Sequence, residues 1–167
     1  GWAKVMNKAI PEIEVTADLR AYGLSAAQAE SNLEEIAITT ERLSAGEVVI
    51  RASAPTGLFE RRSPSVDIAV RVPRRSSLDV NLGVGKVYIA DVTGDITVIA
   101  DVGEIEIAGV EGTVVARSDV GKVEVRDWVM TGDSEIRSDV GAIRVELRGD
   151  PAFELDASTN LGQIESD

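Results

Sequence analysis

The stretch "RSDVGKVEV" at 117–125 returns almost unchanged as "RSDVGAIRV" at 137–145. A chain that repeats itself at this interval is stacking one structural unit on the next, and that restricts its fold more than any other feature. Glycines fall at 85, 94, 103, 112 and 121, nine apart, and again at 132, 141 and 162. Alternate members share a context: "VGKVYI" (84–89), "DVGEIEI" (101–107), "DVGKVEV" (119–125), "DVGAIRV" (139–145) and "NLGQIES" (160–166). The unit is therefore about 18–21 residues long, with two half-units per turn.

Alignment on the shared glycine exposes columns of like residues. Five positions before it stand Val80, Val98, Ala116, Ile136 and Ala157, and one before it Val84, Val102, Val120, Val140 and Leu161. Two after it stand Val87, Ile105, Val123, Ile143 and Ile164, and four after it Ile89, Ile107, Val125 and Val145, then Ser166. These positions alternate with polar ones, which is the period of a strand with one buried face. All four columns are expected to face a core. No single turn can bury its own apolar side, so each turn must stack on the one before, and the pattern predicts a β-solenoid. One position after the glycine the column reads Lys86, Glu104, Lys122, Ala142, Gln163, so opposite charges are expected to meet from rung to rung. The period slips after Trp128, where "RDWVMTGD" carries two residues more than the preceding unit implies. A bulge or longer corner is expected there, with Trp128 in the apolar column of Val92 and Val110.

The front of the chain is less regular. Residues 12–22 alternate and read as a strand. Ser25 with Gln28 forms a capping box, and Ala26, Ala29, Leu33 and Ile36 make one helical stripe, predicting a short helix at about 25–36. Residues 37–53 read as a hairpin turning near Ala45–Gly46, 55–64 as a loop, and 65–73 as a strand entering the repeat. The fold class is all-β with one short helix. A single β-solenoid domain is expected over 1–167, residues 1–75 being irregular N-terminal rungs and cap and 76–167 the regular G-x-[IV]-x-[IV] repeats.

Composition removes whole classes of chemistry. The chain has no histidine and no cysteine, so no Ser-His-Asp triad, thiol nucleophile, His-ligated zinc or disulfide can be built. No run of eighteen apolar residues exists to span a membrane. The chain starts "GWAKVMNKAI", without an initiator Met, which suggests an excised fragment. Residues 1–75 hold ten acidic and ten basic side chains, whereas 76–167 hold nineteen and seven, so the repeats carry the whole net charge of −12. A surface of that sign does not bind nucleic acid.

"VDIAVRVPRRSSLDV" (66–80), followed by the G-x-[IV]-x-[IV] units, resembles the bacterial adhesin-like family of β-strand-repeat domains, also called toastrack-like. The resemblance runs from about residue 12 to the end. It implies an extracytoplasmic bacterial domain of the cell envelope or surface, held to the membrane through a tether outside this stretch. Some relatives are linked to envelope-stress systems. The family brings no catalytic motif.

Candidate sites are few. Asp101, Asp119, Asp139 and Asn160, each two before its glycine, form a ladder that could hold Ca²⁺, although Asp-Val-Gly and Asn-Leu-Gly also read as plain turns. Arg117 and Arg137 share the outward face and could neutralise those acids. Ser118, Ser138 and Thr159 line up one step inward, a hydroxyl ladder expected to satisfy itself. Arg61, Arg62, Arg74 and Arg75, with Phe59 beside them, are the candidate binding surface for an anionic partner. Carboxylate pairs suffice for glycoside hydrolysis, but solenoid enzymes of that kind line a groove with aromatic platforms, and this chain has six aromatic residues in all. The reading is a non-catalytic envelope module without cofactor or metal, its partner an envelope protein or cell-wall polymer. A sensory or regulatory ectodomain is the alternative, and a polysaccharide-acting enzyme the third. The last repeat ends in "QIESD" without closing its turn, which predicts that a second copy or another neighbour covers the open rung.

Overall fold

The structure, a computed structural model, describes residues 2–5, 14–20, 25–34, 36–44, 47–53, 65–149, 159–161 and 164–166. In chain order the elements are β1 (Trp2–Val5), β2 (Glu14–Arg20), α1 (Ala26–Glu34), β3 (Ala37–Ser44), β4 (Glu47–Ser53) and β5 (Ser65–Arg71). The repeats supply β6 (Leu78–Ala90), β7 (Ile96–Ala108), β8 (Glu111–Gly112), β9 (Val114–Val120), β10 (Val123–Met130), β11 (Glu135–Val140) and β12 (Ile143–Leu147). The short strands β13 (Thr159–Leu161) and β14 (Ile164–Ser166) follow. Two compact units result: Gly1–Thr16 with Ile68–Asp167, and Ala17–Asp67.

The smaller unit holds α1 and an antiparallel β3–β4 hairpin in which Ala37 faces Ser53 and Thr40 faces Ile50. Arg51 and Glu41 pair across it at 3.2 Å. The helix is described over Ala26–Glu34, and Ile36, the last member of its apolar stripe, lies outside it and is buried where the chain extends into β3 at Ala37. The expected turn at Ala45–Gly46 and the loop at 55–64 lie outside the described residues.

The larger unit is a β-solenoid of stacked parallel rungs. β6 pairs with β7 from Leu78↔Ile96 to Ala90↔Ala108, a constant offset of 18. β7 pairs in the same offset with β9 and β10. The next step is 20: Ile136 faces Ala116 and Ile143 faces Val123. The two extra residues sit in the corner 131–134, since Met130 still faces Gly112 while Glu135 faces Val115. There the Ser134 hydroxyl accepts a hydrogen bond from Val114 N–H at 3.1 Å, standing in for the ladder carbonyl that the longer corner moves away. The last rung continues the stack, with Ser138 facing Thr159 and Ile143 facing Ile164.

The core lies inside the coil. Val87, Ile105, Val123 and Ile143 form one buried column, Ile89, Ile107 and Val125 a second, and Ile96, Val98, Val114 and Ala116 the facing wall. Each fully buried Val or Ile contributes about 1.5–3 kcal/mol relative to exposure. Trp128 fills the column of Val92 and Val110, 3% exposed, and its Nε1–H donates to the Gly112 carbonyl at 3.0 Å, so the indole is both packed and satisfied.

One column departs from expectation. Val84, Val102, Val120 and Val140 are not in the core but 66%, 45%, 45% and 41% exposed. Across each corner the inward residues are Ala100 and Ile105, Ser118 and Val123, or Ser138 and Ile143, always five apart. An odd step cannot preserve a period of two. The strand turns at the intervening glycine, whose φ is +156° at Gly103 and +152° at Gly121, and the valine before it is carried to the outside of the bend.

Candidate interaction surface

The outer face that precedes the corner is written by the polar positions of β9 and β11. Arg117 reaches up one rung and binds Glu135 with both ends of its fork, Nε to Oε1 at 3.0 Å and Nη2 to Oε2 at 2.6 Å. Arg137 instead binds Asp139 on its own strand at 2.9 Å. The expectation that both arginines neutralise the aspartate ladder thus holds for Asp139 and not for Asp119, because the fork of Arg117 is taken up by Glu135 one rung on. Arg117, Ser118, Asp119, Glu135, Arg137 and Asp139 line an open polar depression of about 330 Å³.

Asp101, Asp119 and Asp139 fall one per rung at the corner, as read, and Asn160 follows on β13. Among the described residues no group of three or more acidic side chains converges into a metal cage. Ser118 and Ser138 are buried, but they do not bond each other. Each donates to the carbonyl of the corner glycine one rung before, Ser118 to Gly103 at 3.4 Å and Ser138 to Gly121 at 2.9 Å. Their hydroxyls tie corners together.

Beyond the corner, Lys86 pairs with Glu104 at 3.2 Å, the rung-to-rung contact expected, and also with Glu106 at 3.0 Å. Lys122 turns instead to Glu124 on its own strand. Arg126 bridges Glu106 and Glu124, closing a network across three rungs. Glu124 is buried, and its carboxyl is held below the usual range first by the hydrogen bond from Lys122, against the opposing effect of burial, with Arg126 and Arg144 adding favourable charge. The Arg117 fork lowers Glu135 in the same way. A depressed carboxylate contributes stability above its unfolded value of about 4.3 and loses it as pH falls through the lower folded value. Glu124→Gln is therefore expected to cost about 1–3 kcal/mol at pH 7. Urea midpoints taken down to pH 3 should show that gap closing below about pH 4.3. A gap unchanged over that range would mean the network does not hold Glu124 as its anion.

Of the arginine candidates, Arg74 and Arg75 are exposed where the chain enters β6, and among the described residues neither makes an ion pair. Their backbone is fixed: the Arg74 carbonyl accepts from Thr93 N–H at 2.7 Å, and Arg75 bridges to Thr93. Arg61, Arg62 and Phe59 lie outside the described residues.

The feature that sequence reasoning missed is the ridge of Val84, Val102, Val120 and Val140 along the outer corner, with Ile99, also exposed, on the neighbouring face. Rungs are spaced about 4.8 Å apart, so four valines in register make a continuous apolar edge. The edge is flanked by charged faces on either side. The signal was present in the sequence as the fixed glycine after each valine, which marks a bend.

No described helix is long and apolar enough to cross a membrane. Among known families, the model of Toastrack DUF4097 domains matches residues 12–167. No curated protein and no solved structure matches the chain.

Proposed function

The chain belongs to the Toastrack DUF4097 family, and on that premise we propose that it is a non-catalytic interaction module of the bacterial cell envelope, docking a partner protein through its valine ridge. The observation that carries this reading is the exposure of four stacked valines on a rigid corner. Their backbone is fixed by the ladder on both sides, so a partner meets a surface that has little ordering entropy left to lose. Hydrated wall polymers gain little from an apolar edge, which favours a protein partner. The absence of histidine and cysteine, and the commitment of Ser118 and Ser138 to backbone carbonyls, support a role in binding over catalysis. An extracytoplasmic location rests on the family resemblance.

Co-sedimentation with purified envelope fractions, at low and high salt, tests the proposal. Binding is expected to survive high salt, to disappear when the fraction is treated with protease, and to weaken about tenfold or more in the Val102→Ser/Val120→Ser variant. Loss of binding with salt and in Arg74→Gln/Arg75→Gln, with the valine variant unaffected, would replace the ridge by the arginine pair. Absence of binding to every fraction would remove the adhesive reading altogether.

A further inference from the structure

Among the described residues, consecutive rungs of this solenoid touch directly, with one exception. β6 lies on β7, β7 on β9 and β9 on β11 without interruption. Carried backward, the offset of 18 would set Ile68–Arg71 of β5 against Lys86–Ile89 of β6. Those positions of β6 are instead paired with β1, in parallel, from Trp2↔Lys86 to Val5↔Ile89. The order of strands in the sheet is β6-β1-β5, so β1 lies between two rungs that are neighbours in the chain. At the next corner the same two rungs are in contact. Arg75 bridges to Thr93, and Ser76 N–H donates to the Thr93 carbonyl at 3.1 Å. The coil is thus closed on one side and opened on another by the width of one strand, about 9–10 Å between β5 and β6.

We propose that this opening is a strand-acceptor slot, and that β1 of a second copy can occupy it in place of the chain's own β1. A strand inserted between two parallel edges is held by main-chain hydrogen bonds, and such pairing does not distinguish one copy of a strand from another. The two rungs that wall the slot are joined at the next corner by the Arg75–Thr93 bridge, so the slot is closed at that end. Every copy carries one strand and one slot, so reciprocal exchange conserves each bond and closes a two-fold dimer without leaving an open edge. Concentration then decides between the two forms, because the chain's own strand competes through its tethered effective concentration.

The chain has no cysteine, so introduced thiols report this pairing without background. Lys4 and Tyr88 are register partners. In the full chain carrying both Lys4→Cys and Tyr88→Cys, oxidation is expected to give a bond within one chain at low concentration. Full-length Lys4→Cys chains refolded at high concentration with full-length Tyr88→Cys chains are expected to give a covalent heterodimer whose yield rises with concentration. Ala142→Cys, exposed on a rung remote from β1, serves as the partner that should give none. An intrachain bond in the double variant without heterodimer in the mixture, at any concentration, overturns exchange. Absence of both bonds overturns the slot itself.

Discussion

Gly121→Ala is expected to destabilise the solenoid by about 2–6 kcal/mol, lowering the melting temperature by roughly 4–24 °C. Two costs combine. The backbone at Gly121 has φ +152°, which an L-residue adopts only with strain of about 1–3 kcal/mol. A Cβ built there would lie 1.6 Å from the Gly103 carbonyl oxygen, and one on Gly141 would lie 1.9 Å from the Gly121 oxygen. The corner glycines stack carbonyl over Cα, so a methyl group forces rungs apart in a ladder that has no slack, a crowding cost of about 1–3 kcal/mol or more. Gly149 separates the two costs. Its φ is +94°, but nothing lies within 4 Å of the Cβ position, so Gly149→Ala should show only the strain. Denaturant unfolding of both variants checks this. Equal losses would mean that the corner glycines are not stacked as described.

That glycine column explains why the architecture is legible in the sequence while the surface is not. A rung of 18 residues writes its constraints several times over, so inward columns such as Val87–Ile105–Val123 stand out against local noise. The two-residue insertion at 131–134 shifts the later strands together, and Trp128 keeps its place above Val110, so even the irregularity could be read. The valine ridge could not be read by alternation alone. Val102 is apolar and lies two positions from buried Ala100, and both facts point inward. Only the sign of φ at Gly103 decides otherwise, and that sign acts on every rung alike, so the repetition reinforced the error. Side-chain partners are legible in part. Lys86 and Lys122 occupy one column, yet the first bonds across rungs and the second along its own strand, since a long flexible amine can reach either carboxylate. The insertion of β1 is not legible in the repeat, because residues 2–5 stand far from it in the chain and carry no corner glycine, although Ala3 and Val5 take register with Val87 and Ile89.

Ile105→Ala and Val102→Ala, three positions apart on β7, are expected to differ more than any other neighbouring pair. Ile105 is fully buried between Val87 and Val123 of the adjacent rungs. Its truncation removes apolar contact and leaves a cavity that the ladder cannot collapse, because both neighbours are pinned by pairing on either side. The expected loss is therefore in the upper part of the 2–5 kcal/mol range for such changes. Val102 is 45% exposed, and its truncation should change stability by no more than about 0.5 kcal/mol. A solenoid whose alternation ran unbroken through the corner would bury both residues and make both substitutions costly. Unfolding midpoints in urea, with unchanged slope, distinguish the two geometries. A large loss at Val102 would return the valine column to the core and, with it, remove the ridge as a docking surface. A small loss there keeps the valines outside the core, as the proposed docking surface requires.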